Sequence, residues 1–209
     1  MICKILRTTN PKLREVSVPV LKVDKKLLEL IRDMDETLDV QKDPEGLGLA
    51  APQVGVFQRM FILKPLKQKL QVFIANREAR SDKKLEDPLI FINPEIVKLS
   101  KKTNDVVKIV DDKKVVEPTG LMEGCLSLPH YYGPVQRAQS VTLKYAVPEL
   151  KIDHWELKIK QKTFTGFLAH IIQHEIDHLN GVFFIDHLLK SGRKLYQMKG
   201  KEWYEVKLV

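Results

Sequence analysis

The chain has 209 residues, 44% of them hydrophobic, which suits a single domain with a sizeable core. It carries 35 Lys and Arg against 27 Asp and Glu, a formal net charge of +8, but its lysines are scattered without interleaved aromatics. That pattern describes a solvated surface rather than a DNA-binding face. Two cysteines exclude a disulfide framework, and no run approaches the roughly 20 apolar residues of a membrane span.

Taken in chain order, Asp24 is placed to cap a helix reaching about Val40, with Leu27, Leu28, Ile31, Met34 and Leu38 on one apolar face. Asp43-Pro44-Glu45-Gly46 ends it. Segments 56–64, 70–75 and 89–99 read as strands, the last interrupted at Pro94 and therefore placed at a sheet edge. Residues 76–88 form a polar insertion. Residues 100–119 form another, where Val106–Val110 and Val115–Val116 suggest a hairpin. Segments 140–147 and 152–160 alternate as a further hairpin, turning near Pro148-Glu149. A helix over 163–179 stops at Asn180-Gly181, and the variable tail 191–209 ends more like a strand than a helix. The expected fold is α+β, one domain over 1–209, with mostly antiparallel strands around a central helix.

That helix carries Gln173-His174-Glu175-Ile176-Asp177-His178-Leu179, which contains H-E-x-x-H. Four residues make just over one helical turn, so His174 and His178 share a face and can reach one divalent cation. Glu175 lies beside the ion without binding it and is free to move protons. Catalytic sites of this kind usually take a third protein ligand. Asp186 and His187 lie downstream, without the spacing of the longer zinc-protease motifs. His170 cannot join both other histidines on one straight helix, because it lies roughly 12 Å along the axis from His178. It suits the pocket wall instead. Cys125, in Glu123-Gly124-Cys125-Leu126-Ser127, is a further candidate, since the preceding glycine permits close approach.

Three motifs in order make the chain resemble the peptide deformylases. They are Gly46-Leu47-Gly48-Leu49-Ala50-Ala51-Pro52-Gln53, Glu123-Gly124-Cys125-Leu126-Ser127 and Gln173-His174-Glu175-Ile176-Asp177-His178-Leu179, and the similarity spans about Ile5 to His187. The resemblance implies removal of the N-formyl group from the formyl-methionine of nascent peptides. It implies Cys125, His174 and His178 as metal ligands and Glu175 as general acid and base. Gln53 and the backbone N–H of Leu126 would stabilise the oxyanion. Leu47, Gly48 and Gly124 would bond the backbone of an extended substrate, and Leu47, Phe167, His170 and Ile171 would wall an apolar pocket for methionine. The implied ion is Fe(II), with Zn, Ni or Co as replacements in purified protein.

Asp177 could orient a neighbouring group or pair with a base such as Arg137. Both cysteines are expected to be reduced. Met1-Ile2-Cys3-Lys4 lacks an apolar leader, so the expected compartment is the bacterial cytoplasm, or an organelle after loss of a transit peptide. A monomer is expected, and the basic tail leaves room for weak ribosome contact. The rival readings are an H-E-x-x-H endopeptidase and an inactive, basic, ribosome-associated module.

Overall fold

The computed structural model describes residues 1–64, 89–104, 121–200 and 202–207. The expected strand at 70–75, the polar insertion at 76–88 and the valine hairpin within 105–119 lie outside these residues.

Helix α1 (Lys25–Val40) begins as its sequence dictates, with the Asp24 carboxylate accepting the Leu27 N–H at 3.0 Å. It buries Leu27, Ile31, Met34 and Leu38. Thr37 on the same face is also buried, because its Oγ accepts the Cys3 N–H at 2.7 Å and so ties down the start of the chain.

Strands β1 (Gly48–Ala50), β2 (Met60–Leu63), β3 (Leu89–Leu99), β6 (Ser140–Leu150) and β7 (Trp155–Thr165) form one antiparallel sheet in the order β1-β2-β3-β6-β7. Strand β2 shows why this sheet is covered on both faces. Phe61 and Leu63 join the core beneath helix α2 (Gly166–Leu179), while Met60 and Ile62 join the core beneath α1. A period of two thus feeds two apolar layers from one short strand. On the α2 side, Phe91 stacks on Phe61 at 4.6 Å between ring centroids and meets Phe164 edge-on at 5.5 Å.

A smaller antiparallel sheet follows the order β4-β5-β8-β9, from β4 (Glu123–Cys125), β5 (Leu128–Gly133), β8 (Leu195–Lys199) and β9 (Glu202–Val206). Helix α3 (Phe184–Ser191) packs on it through Phe184 and Leu188. The tail therefore forms strands, as its sequence suggests. No helix among the described residues is long and apolar enough to cross a membrane.

Three expectations need correction. Strand β3 lies inside the sheet rather than at its edge. Pairing with β2 ends at Ile92, and the register with β6 shifts between Ile92 and Glu95, so Pro94 sits in a bulge and interrupts no ladder. Asn93 stabilises this bulge by bonding both the N–H and the C=O of Val20, at 2.8 and 2.7 Å. Second, Pro148 is not in the turn but pairs with Leu157 inside the β6–β7 ribbon, which turns at 151–154. Among the described residues, pairing of β3 with β6 stops at Ala146, so no second strand is paired with β6 at Pro148, a setting that tolerates proline. Third, α2 starts at Gly166, not at 163. The φ of +61° at Gly166 turns the chain from strand to helix.

The far end of α2 closes on Gly181, whose φ is +69°. A Cβ there would lie 2.2 Å from the Arg14 carbonyl oxygen. Gly181→Ala should therefore lower stability by about 1–3 kcal/mol, read as a shift in the urea midpoint.

Candidate active site

The two sheets bring residues from distant parts of the chain to one cleft. The turn after β1 supplies Gln53, β4 supplies Cys125, and α2 supplies His174, Glu175 and His178. Their donor atoms converge. Cys125 Sγ lies 3.2 Å from His178 Nε2, and His178 Nε2 lies 3.1 Å from His174 Nε2. The three ligand atoms fall within 4.8 Å of one another, and all three residues are buried. Bonds of about 2.0–2.3 Å to a tetrahedral ion would place neighbouring donors roughly 3.3–3.6 Å apart. The donor set therefore fits a single divalent cation in both spacing and chemistry.

The electrostatics agree with that fit. Burial works against the Cys125 thiolate. The adjacent His178 and His174 imidazoles outweigh burial and hold the thiol well below its ordinary value. Thiolate is the form that binds metal. His174 is turned by Glu123, whose Oε1 lies 2.7 Å from Nδ1, which leaves Nε2 for the cluster. Burial also works against the Glu123 carboxylate, but Arg137 and His174 keep it well below the usual range. Arg137 grips Glu123 through Nε at 3.0 Å and Nη2 at 2.6 Å, and reaches Asp177 through Nη1 at 2.5 Å.

Asp177 thus pairs with Arg137 and with His187, at 2.8 Å, and the carboxylate that orients a cluster histidine is Glu123. The only sign of Glu123 in the sequence is its place two residues before Cys125; its partners lie 14 and 51 residues away. Asp186 is engaged elsewhere, in an ion pair with Arg14.

Glu175 is 3% exposed, and its Oε2 has no hydrogen-bond partner among the described residues. Burial pushes its carboxyl up to about 7, against the opposing pull of His174 and His178. Gln53 is buried with its amide held from both ends. Oε1 accepts the Ala50 N–H at 2.9 Å, and Nε2 donates to Ser127 Oγ at 3.1 Å. The same Nε2 lies 3.6 Å from Cys125 Sγ, which aims an N–H at the cluster.

The cleft has a volume of about 330 Å³. Leu47, Gly48, Gly124, Leu126, Phe167, His170 and Ile171 all line it. Pro44, Glu45, Met122, His130 and Tyr132 line it as well and carry no motif that would have marked them. His170 stays out of the cluster. Its Nε2 lies 2.8 Å from Glu123 Oε2, and its Nδ1 lies 2.8 Å from Asn104 Nδ2.

The family model for polypeptide deformylase matches residues 2–194. The peptide deformylase of Rhizobium meliloti (strain 1021) is 37% identical over 186 residues, covering 89% of this chain and 84% of that protein. That of Desulfotalea psychrophila is 32% identical, and 97% of each chain is covered. Among solved structures, the peptide deformylase from Ehrlichia chaffeensis matches with a TM-score of 0.64 and 31% identity, covering 92% of this chain and 90% of that one. The Thermotoga maritima enzyme matches with a TM-score of 0.63 and 29% identity, covering 90% and 97%. On the strength of the match across residues 2–194, this chain belongs to the polypeptide deformylase family.

Proposed function

We propose that this deformylase, which removes the N-formyl group from nascent peptides, works through Cys125, His174 and His178 as metal ligands and Glu175 as general acid and base. The observation that carries this reading is the convergence of one sulfur and two imidazoles in a cleft, beside a buried carboxylate whose Oε2 has no hydrogen-bond partner among the described residues. A divalent cation held there supplies Lewis acidity and makes water easier to deprotonate at neutral pH. Glu175 accepts the proton of the attacking water and delivers it to the departing amine. The Gln53 amide and the Leu126 N–H donate to the oxygen that gains charge at the formyl carbon. One fixed donor of this kind is worth about 3 kcal/mol of barrier.

The peptide lies extended, with main-chain bonds to Leu47, Gly48 and Gly124, and its first side chain enters the pocket walled by Phe167, His170 and Ile171. One structural match, from Acinetobacter baumannii, is described as bound to Met-Ala-Ser; it is 26% identical, with a TM-score of 0.63. We take Fe(II) as the native ion. Thiolate and imidazole accept zinc, nickel and cobalt equally well, so the assignment rests on the family resemblance. The protein acts as a monomer in the cytoplasm, and its scattered lysines serve solubility and weak ribosome contact.

The test is formate release from a formyl-Met dipeptide by protein prepared without oxygen, paired with elemental analysis. Activity should disappear on chelation, return with a divalent cation, and leave unblocked peptides intact. Cleavage of internal peptide bonds would instead favour an endopeptidase.

Gly48 gives a sharper check. A Cβ at this position would lie 2.3 Å from Glu175 Oε1 and 2.8 Å from Leu63 Cδ2. Gly48→Ala must therefore displace the carboxylate or the strand. A displacement of about 1 Å should lower kcat/KM by about 100-fold, with bound metal unchanged.

A further inference from the structure

Among the described residues the C-terminal hairpin supplies none to the metal cluster or to the cleft lining, yet it contacts a residue that does line the cleft. Strand β8 pairs with β5 through Tyr196 and Tyr132, and β9 pairs with β8 through Trp203 and Met198. Directly paired residues share a face, and alternate residues along a strand do too, so Tyr132 and Trp203 lie on one face of the small sheet. Their rings meet edge-on, with centroids 5.3 Å apart and an interplanar angle of 71°.

Tyr132 also lines the cleft, and it is paired in register with Gly124. Its ring occupies the space that a side chain on Gly124 would need, since a Cβ there would lie 2.6 Å from Tyr132 Cε1. Gly124 on one side and Trp203 on the other fix the ring's position. Strand β5 is one strand further than β4, about 4.8 Å, from the sulfur and imidazole cluster. Pro44 and Glu45 line the same cleft.

We propose that Tyr132 forms the wall that receives the peptide beyond formyl-methionine, and that Trp203 is a positioning residue that holds Tyr132 in place. This rests on the deformylase reading of the cleft, with the substrate running past Gly124. The tail hairpin thereby sets how well the enzyme grips the downstream residues of its substrate, without touching the reacting atoms. An aromatic wall at this place favours apolar side chains downstream of the methionine.

The experiment compares formyl-Met-Ala with formyl-Met-Ala-Phe-Ala as substrates for wild type, Trp203→Ala and Trp203→Phe, with melting temperatures measured alongside. Loss of an edge-on ring contact should raise KM for the tetrapeptide about 3- to 10-fold. Turnover of both peptides and KM for the dipeptide should stay within about twofold of wild type, and Trp203→Phe should restore most of the tetrapeptide binding. If Trp203→Ala does not fold, Trp203→Leu keeps the bulk without the ring and reads the same quantity.

An unchanged tetrapeptide KM, or an equal change on both peptides, overturns the proposal. So does a further rise in KM when Trp203→Ala is added to Tyr132→Ala, because Trp203 would then act independently of the tyrosine. Failure of the wild type to release formate from either peptide would instead sink the deformylase reading itself.

Discussion

Glu175→Gln should lower kcat/KM for formyl-Met peptides by about a thousandfold or more while leaving the bound metal in place. General acid–base catalysis is worth about 10²–10⁴-fold, and here one residue is asked to move the proton twice. The glutamine keeps the size of the carboxylate and its place beside Gly48, so packing is conserved and only the proton acceptor is lost. The stability of the metal-free protein should move the other way. Burial raises the Glu175 carboxyl from 4.5 to about 7, so the folded state holds this proton more tightly than the unfolded one. The resulting stability is fully present below pH 4.5 and is lost as pH rises through 7. Without a cation, Glu175→Gln should therefore melt no lower than the parent at pH 8 and should lack this pH dependence. Near-parental formate release by the variant, with metal content confirmed, would remove Glu175 from the mechanism.

Much of this arrangement was legible in the sequence, and for physical reasons. Asp24 with the spacing of Leu27, Ile31, Met34 and Leu38 determines α1 locally, because cap and apolar face lie within a few turns. The His174–His178 pair is likewise local, since helical geometry alone brings the two rings together. Pro94 and Pro148 misled for a common reason. A proline marks a missing N–H, but whether that N–H was needed depends on where the neighbouring strand stops. The Asp177–Arg137 pair was one of two readings the sequence left open, but spacing alone could not join Glu123 to it, because β4, the loop before β6 and α2 carry the three residues separately. Tyr132 and Trp203 were equally silent. An aromatic residue in a strand is usually core, and only the pairing of β5, β8 and β9 shows that Trp203 backs a ring that lines the cleft.

The largest loss of stability should come from Arg137→Met. Arg137 is 6% exposed and is the partner of two carboxylates that are themselves mostly buried. Both partners act on its charge in the same sense. Burial disfavours the guanidinium, but Glu123 and Asp177 outweigh this and raise its pKa further. Methionine fills much of the volume yet leaves Glu123 and Asp177 without their cation. Breaking a buried pair by removing one partner typically costs about 3–5 kcal/mol, because the remaining charge is left uncompensated. Lysine should rescue little. Glu123 is held by two parallel N–H groups of one planar fork while a third N–H serves Asp177, and a single ammonium cannot reproduce that geometry. The damage should also reach the metal site. Glu123 orients His174, and a carboxylate that takes up a proton to escape burial would no longer accept from Nδ1 as strongly. Arg137→Met should therefore lower both the thermal midpoint and metal retention under mild chelation. Glu123→Gln, which keeps the shape but removes the charge, should lower metal retention with a smaller loss of stability. A midpoint for Arg137→Met within about 2 °C of the parent would show that this array contributes little to the fold.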